Sequence, residues 1–378
     1  MAARAYARFE PGVRHRIQTP VTHASRPASV GIAGVNTRSL HAATLGIAGN
    51  WGSALRPHLE RITSTTPATT GGRLGDRASQ ACWAHACYLL DYTYLTCPDR
   101  DTGLLRYRSG FARLCAPETR RLPLYLDSAA YREATGTAPA WSTYQRYCEA
   151  IDLIRPDGAM ARDVLDDQEA SRLGYERLCC DGYGHLIIPV WQVRPAWDPT
   201  CDASANGRLA ASDATLRAYA DRAPVVAIGG LVQGPCPRAA RHLYLAELVR
   251  AFPDTHFWAL GQASAMVLNG LGQLGLLNRV STDGSWWIHH ARTEQFAVLQ
   301  DGLLKSLRLT HTGAASFFTL LELMAANLRS LLSAYAGLWV FPAPADVPTD
   351  LRDPDVRFEL RRRLAPVQLD LFAQLAVA

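Results

Sequence analysis

Short apolar runs recur along the middle of the chain, and the segments between them have helical periodicity. The runs begin 23 to 38 residues apart and cover residues 122–127, 156–166, 185–193, 223–231, 255–261 and 278–283. Runs that are apolar on both faces, such as LIIPVW and PVVAIGG, are typical of parallel strands buried on both sides. The pattern therefore predicts repeated βα units and an α/β fold with a mostly parallel sheet.

The number of runs favours one architecture within this class. Helical spacing is clear at 237–252, at 264–277 and in a long amphipathic segment at 313–339. Further upstream, 28–34 is predicted as a strand and 78–95 as a helix. Six strands plus one or two earlier ones predict a (β/α)8 TIM-type barrel, with a doubly wound open sheet as the alternative. No G-x-G-x-x-G follows a strand, which argues against a dinucleotide-binding sheet.

Charge and composition suggest how the chain is divided. The content of 48% hydrophobic and 19% charged residues is typical of globular domains. We expect a basic N-terminal arm at 1–27, a barrel at 28–340, and a Pro-rich linker with a C-terminal helix at 341–378. The formal net charge is +5, and the first 80 residues contain ten arginines. Arginine suits phosphate contacts, but a GC-rich genome would produce the same bias.

Cysteine usage and hydropathy bear on the compartment. The nine cysteines have no framework spacing, which predicts a reducing, cytoplasmic environment. No window approaches 18 uninterrupted apolar residues, so no membrane span is expected. Cys82, His85 and Cys87 lie close together, but the further ligands of a tetrahedral zinc site are not evident. Small buried thiols on a helix are the simpler interpretation, and the role of this group stays open. We predict neither a metal nor a cofactor.

Polar residues stand where several predicted strands end. In a barrel, catalytic groups lie at these carboxyl ends. Taken singly, an Asp after a strand is most often a helix N-cap or an Asx-turn, and a Gly pair is usually a turn. Their order along the chain suggests instead a shared site, with Asp127 and Asp283 as a pair of carboxylates. The candidates are Asp127, Ser128, Asp163, Gln192, Gly229, Gly230 and Asp283.

The same segments resemble a known enzyme family. In order, DSAAY, an Asp-bearing strand, PVWQ, GGLVQG and STDGSWW are similar to segments of the tRNA-guanine transglycosylase superfamily. Within it, the DNA-directed branch that inserts 7-deazaguanines looks most similar. DSAAY resembles the family's Asp-Ser-Gly-Gly-Phe segment, and GGLVQG resembles its Gly-Gly-Leu-Ala-Val-Gly loop. The resemblance covers roughly residues 120 to 295.

The resemblance implies roles for these residues. Asp283 would be the nucleophile that attacks the anomeric carbon of the ribose, and Asp127 the general acid/base for the departing and incoming bases. A carboxylate that holds the glycosyl group covalently splits base exchange into two inversions, as in retaining glycosidases. Tyr131 and Arg132 would contact the base face and the ribose. The purine would be read by Ser128, Asp163, Gln192, Gly229, Gly230 and Leu231.

The sequence departs from the family pattern in two places. Ala129 and Ala130 stand where the family usually has two glycines, so the added methyls either narrow the pocket floor or change its backbone angles. No cysteine follows Cys236, so the zinc site of the family's tRNA enzymes is absent from this sequence. Beyond the nucleophile, Trp286 and Trp287 are predicted to pack, and the histidines that follow them to lie in a polar loop.

The implied function is replacement of guanine in nucleic acid with a 7-deazaguanine such as preQ0. DNA is favoured over tRNA because the zinc cysteines are missing, because the first residues are basic, and because no RNA-binding domain is expected after the barrel. The target base would have to leave the stack. An accessory ATPase could be a partner. The alternatives are a tRNA enzyme, a non-catalytic nucleic-acid-binding subunit of the same fold, and a small-molecule nucleoside enzyme.

Overall fold

The computed structural model describes residues 45–48, 86–109, 112–113, 115–120, 123–300, 303–308 and 320–335. The predicted arm at 1–27, the predicted strand at 28–34 and the predicted tail at 341–378 lie outside these ranges.

The described chain alternates between strands and helices. The strands are β1 (Leu45–Ala48), β2 (Ala86–Asp91), β3 (Thr96–Pro98), β4 (Leu105–Tyr107), β5 (Leu124–Asp127), β6 (Gly158–Met160), β7 (Ile187–Ile188), β8 (Val190–Gln192), β9 (Val225–Gly229), β10 (His256–Ala259), β11 (Val280–Gly284), β12 (Gln295–Gln300) and β13 (Leu303–Arg308). The helices are α1 (Tyr92–Leu95), α2 (Ala130–Ala134), α3 (Tyr144–Ile154), α4 (Gln168–Leu178), α5 (Ala203–Ser212), α6 (Ala214–Arg222), α7 (Arg241–Ala251), α8 (Ala265–Gln273), α9 (Trp286–Arg292) and α10 (Leu320–Tyr335).

Nine of the strands form one sheet. Their order is β7-β6-β5-β2-β1-β11-β10-β9-β8, and every pair of neighbours is parallel. The α/β class with a parallel sheet is therefore confirmed. Because the strands run in one direction, all their carboxyl ends lie along the same edge.

The two strands at the ends of this order are neighbours in the chain. Only Pro189 separates β7 from β8. The segment 187–192 pairs with β6 through its first half and with β9 through its second half. Pro189 has no N–H to donate, but its carbonyl oxygen accepts a hydrogen bond from the backbone N–H of Ala227 (2.9 Å).

Local sequence explains the main elements. All five residues of β9 are buried, as expected for a strand covered on both faces. In α3, Tyr147, Ala150, Ile151 and Ile154 are buried at helical spacing, and the Thr143 hydroxyl caps the first turn.

Two parts of the structure differ from the sequence-based prediction. The helix predicted at 78–95 is wrong over its described part, because residues 86–91 form the buried strand β2 and only one helical turn follows. The antiparallel hairpin β12–β13 was not predicted. The long helix predicted at 313–339 is confirmed over residues 320–335 and packs against this hairpin and α9. Within the described ranges, no helix has the length and apolar character needed to cross a bilayer.

Candidate active site

Carboxylates cluster at the carboxyl edge of the sheet. Asp127 is the last residue of β5, and Asp283 is the next-to-last residue of β11. Asp163 follows β6 after two residues and is buried. Asp91 ends β2 and lies opposite Asp127 in the register of the two parallel strands. The edge therefore brings together four carboxyl groups.

The Asp283 side chain is buried and is held by one of its two oxygens. Its Oδ1 accepts hydrogen bonds from the Trp258 indole Nε1 (3.0 Å) and from the backbone N–H of Gly261 (3.1 Å). Burial raises the pKa of Asp283 to about 6, and these two donors limit the rise. In the described part of the chain no group donates to Oδ2. The group is thus mostly ionised at neutral pH, with one oxygen available for chemistry.

Asp127 has a different environment. Its Oδ1 accepts one long hydrogen bond, from the backbone N–H of Ala129 (3.3 Å). No arginine or lysine of the described ranges forms an ion pair with it. Burial, and then the negative charges of Asp91, Asp163 and Asp283, raise the pKa of Asp127 to about 8. Asp127 therefore holds a proton at neutral pH while the side chain remains only half-buried.

Asp163 is the centre of a buried polar cluster. Its Oδ1 accepts from the Ser128 hydroxyl (2.9 Å), and its Oδ2 accepts from the Gln192 amide Nε2 (2.8 Å). Burial raises the pKa of Asp163 to about 6, and these donors oppose the rise. Gln192 Oε1 is buried without a hydrogen-bond partner among the described residues. The cluster thus presents several acceptor sites and one unused acceptor atom.

The two glycines of the GGLVQG segment make room for this cluster. A Cβ on Gly229 would lie 2.7 Å from Gln192 Nε2. Gly230 has φ +75°, in the left-handed region that favours glycine. The resemblance implied that these glycines help to read the purine. In the structure, the absence of side chains at both positions leaves room for the Gln192 amide beside Asp163. Leu231 is fully buried beside them.

Ala129 adopts a backbone conformation that favours glycine. Its φ of 67° and ψ of 14° are left-handed, and its methyl group is buried. An alanine in this left-handed conformation carries an energetic cost.

Sequence reasoning missed Asp91 and its ion pair with Arg132. The segment LLDY ends an apolar strand with Asp in the same way as LYLDS, but it was assigned to a helix. The Arg132 guanidinium forms an ion pair with Asp91 (3.5 Å) and donates to the Thr93 hydroxyl and the Thr137 carbonyl oxygen. Arg132, for which a ribose contact was expected, is therefore engaged within the protein, whereas Tyr131 is 55% exposed.

Residues around the site were predicted with mixed success. Trp287 is fully buried and donates to the Gly284 carbonyl oxygen, as its predicted packing role requires. Trp286 stacks on His290 with ring centroids 3.7 Å apart. The histidines lie in helix α9, so the predicted polar loop is wrong.

Asp166 and Asp167, which follow β6, have different roles. Asp167 caps a helix, since it accepts from the backbone N–H of Ala170 at the start of α4. Asp166 instead forms an ion pair with Arg194 (2.5 Å) and has a left-handed φ of 62°.

The proposed thiol and histidine group is only partly described. Cys87 is buried in β2, not on a helix, and Cys82 and His85 lie outside the described residues. Among the residues with described positions, no three His, Cys, Asp or Glu side chains are grouped so that they could hold a metal ion.

Comparison with known proteins adds no relative to this picture. No protein-family model matches the chain. No curated protein matches its sequence either.

Proposed function

We propose that the chain is a base-exchange transglycosylase that replaces guanine in nucleic acid with a 7-deazaguanine such as preQ0. The observation that carries this proposal is the contrast between two carboxyls at one sheet edge. Asp283 is anchored by two donors and has a free oxygen, whereas Asp127 has a pKa raised to about 8. Retaining glycosyl transfer requires a nucleophile and an acid that act on the same glycosidic bond.

The two carboxyls divide the chemistry between them. Asp283 Oδ2 attacks the C1′ atom of the target nucleoside, and the bond from C1′ to the base breaks as the proton of Asp127 passes to the departing guanine. The incoming base then loses its N9 proton to Asp127 as N9 attacks C1′. This step breaks the ester and restores both carboxyls to their starting states.

The buried cluster around Asp163 suits a guanine-like ring. The N1–H and 2-amino groups of guanine are donors, and 7-deazaguanines such as preQ0 keep both. Each oxygen of Asp163 accepts one protein hydrogen bond and, as a carboxylate, has capacity for another. Asp163 is therefore assigned to base recognition, with Ser128 and Gln192 fixing its orientation.

The proposed fold is the (β/α)8 barrel. Support comes from the segment 187–192, which pairs with β6 on one side and β9 on the other. If β7 and β8 are counted as one strand, eight strands each have a neighbour on both sides. A barrel would gather all the carboxyl ends, and with them the four aspartates, around one mouth.

DNA is proposed as the polymer. The reasons come from the sequence: no cysteine follows Cys236, and the first 80 residues carry an excess of arginine. Such arginines would contact phosphates without reading bases, and binding should then weaken steeply with added salt. An accessory ATPase is proposed only as a partner that could open the duplex.

Trapping of the covalent adduct tests this function. Purified protein is incubated with single-stranded DNA, duplex DNA or tRNA, with labelled guanine and with or without a cell extract that supplies partners. We expect a band shifted on a denaturing gel and label in DNA. Asp283→Asn should remove both, with a loss of at least about 10⁴-fold in exchange.

The matched control is Asp254→Asn, which changes an exposed aspartate outside the site and should keep full activity. An adduct that persists in Asp283→Asn would place the nucleophile elsewhere. Label that enters tRNA but never DNA would overturn the choice of polymer. Nucleic-acid binding without an adduct or exchange under any condition would favour the non-catalytic subunit.

A further inference from the structure

Asp91 and Asp127 form a carboxyl pair across two parallel strands. They are Cα partners in the register of β2 and β5, so both side chains leave the sheet at the same level and on the same face. Neighbouring strands lie about 4.8 Å apart. Two carboxyls this close, in a site with little water, cannot both be ionised without a large cost, and one of them tends to keep a proton.

The hydrogen bonds of the pair are unequal. Asp91 is buried, and its Oδ1 accepts from both the backbone N–H and the hydroxyl of Thr93, each at 2.7 Å. Its Oδ2 faces the guanidinium of Arg132 at 3.5 Å. Asp127 accepts only one long hydrogen bond, from a backbone N–H. Burial raises the pKa of Asp91, and the two donors of Thr93 and the cation of Arg132 oppose this rise. Among the described residues Asp127 has neither a short donor nor a cation beside it, so Asp91 is the better site for the negative charge.

Arg132 is held in place for this task. Its guanidinium donates to the Thr93 hydroxyl and to the Thr137 carbonyl oxygen (2.7 Å), and it lies 4.6 Å from the centroid of the Tyr94 ring. These contacts use both terminal nitrogens within the protein. The guanidinium is thus held beside Asp91, where its positive charge compensates that of the carboxylate.

We propose that Asp91, kept ionised by Thr93 and Arg132, is a positioning residue that holds the proton of the carboxyl pair on Asp127. This role rests on the proposed function, in which Asp127 is the acid that releases guanine. Asp91 itself does not touch the reacting atoms. Its charge prepares Asp127 for proton donation before the base departs.

Other ionisable groups lie around Asp127, and two of them also raise its pKa. Asp163 beyond β6 and Asp283 on β11 add negative charge from farther along the edge, and Asp91 precedes both in its effect on the Asp127 pKa. Tyr147 on α3 donates its hydroxyl proton to the Met160 carbonyl oxygen and stays neutral. Glu133 on α2 is paired with Arg162, so these two charges largely cancel.

Site-resolved carboxyl titration tests the proposal. Protein with ¹³C-labelled aspartate carboxyls is titrated by NMR without any substrate, and Asp127→Asn and Asp91→Asn identify the two signals. We expect Asp127 to titrate near pH 8 in the unchanged protein and at least about one pH unit lower in Asp91→Asn. Asn can still cap the Thr93 N–H, so the fold should be kept.

Two further variants frame the result. Asp91→Glu keeps the charge and should keep the high midpoint, and Asp254→Asn should change nothing. An unchanged Asp127 midpoint in folded Asp91→Asn would overturn the proposal. If Asp91→Asn does not fold, the titration of the unchanged protein still tests the proposal. We expect Asp91 to be ionised and Asp127 to be protonated at pH 7, and the reverse would overturn the proposal.

The titration also separates this proposal from the proposed function. If the titration midpoints are as expected but no base exchange is found, the inference about the carboxyl pair is supported and the transglycosylase function is rejected. If exchange proceeds but the Asp127 midpoint does not depend on Asp91, the function is supported and the inference about the pair is rejected.

Discussion

The indole of Trp258 on β10 donates a hydrogen bond to Asp283 on the neighbouring strand β11, with 3.0 Å between Nε1 and Oδ1. The backbone N–H of Gly261 donates to the same oxygen. Both donors lie on one side of the carboxylate, so they fix its orientation and leave Oδ2 pointing away from them. Trp258 is fully buried, so its indole packs in the hydrophobic core and also orients the proposed nucleophile.

Replacement of this donor should weaken the nucleophile. Trp258→Phe keeps an aromatic ring against Tyr125 but removes the N–H. Loss of a hydrogen bond to a charged group costs about 1.5–3 kcal/mol, so we expect the pKa of Asp283 to rise and exchange at pH 7 to fall roughly two- to fifteenfold. Single-turnover exchange measures the effect. Trp197→Phe, outside the sheet, is the control. This role would be contradicted if the exchange rate of Trp258→Phe rose with pH at the same midpoint as in the unchanged protein.

The rate of exchange should depend on pH in a bell shape. It rises as Asp283 ionises near pH 6, because the nucleophile must be a carboxylate. It falls as Asp127 loses its proton near pH 8, because the departing base then has no acid. Asp163 also titrates near pH 6, and its contribution should show as weaker base binding at low pH. Single-turnover rates from pH 5 to 9 test this, and a rate still rising above pH 9 would exclude Asp127 as the acid.

The raised pKa of Asp127 has a cost in stability. The unfolded chain releases this proton near the ordinary pKa of about 4, whereas the folded state keeps it until about pH 8. As pH rises between these values the unfolded state is increasingly favoured, so stability present below pH 4 is lost. Asp127→Asn should therefore raise the free energy of unfolding by about 1–3 kcal/mol at pH 8, with exchange reduced by roughly 10²–10⁴.

Chemical denaturation at pH 4 and pH 8 checks the sign. The gain from Asp127→Asn should be much smaller at pH 4, where Asp127 is protonated in the folded state and about half protonated in the unfolded state, and Asp254→Asn should show no such difference. A gain that is equal at the two pH values would mean that the substitution acts through packing and not through the proton.

Substitution of Asp163 should affect recognition more than chemistry. Asp163→Asn keeps the size of the side chain but places an amide N–H₂ where an acceptor is needed. We expect the KM for labelled guanine to rise at least tenfold while the limiting rate changes less, because a buried donor of the base loses its partner, at about 1–3 kcal/mol. Equal KM values for the variant and for Asp254→Asn would remove Asp163 from base recognition.

Part of this site could be predicted from the sequence. Asp127, Gln192, Gly229 and Asp283 each follow a clear apolar run, and the structure places all of them at strand ends. The periodicity of the chain was enough for that. Their hydrogen-bond partners could not be predicted. A tryptophan within the apolar run HFWA indicates only a buried core residue, and its bond to Asp283 becomes evident only when the neighbouring strand is known.

Other elements were missed for reasons of local ambiguity. The segment ACYLLDYTYL is apolar except for Asp91 and Thr93, so its periodicity alone could not separate strand β2 from a helix. The left-handed backbone of Ala129 could not be predicted, because an alanine does not indicate this conformation as a glycine would. The hairpin did carry one: Asp301 and Gly302 stand between the ends of β12 and β13 in the sequence, and Asp-Gly favours a two-residue hairpin connection.

The position of β1 also governs the order in which the protein can be completed during synthesis. Leu45 pairs with Ala86 on one side and with Thr282 on the other, about 240 residues later in the chain. At ribosomal rates this interval lasts roughly 10–50 s. Until β11 has emerged, one side of β1 has no strand to pair with, and Asp283, the proposed nucleophile, arrives with the strand that fills that place. The last strand of the sheet and the last of the proposed catalytic residues are therefore made together, so a nascent chain truncated before β11 would lack both.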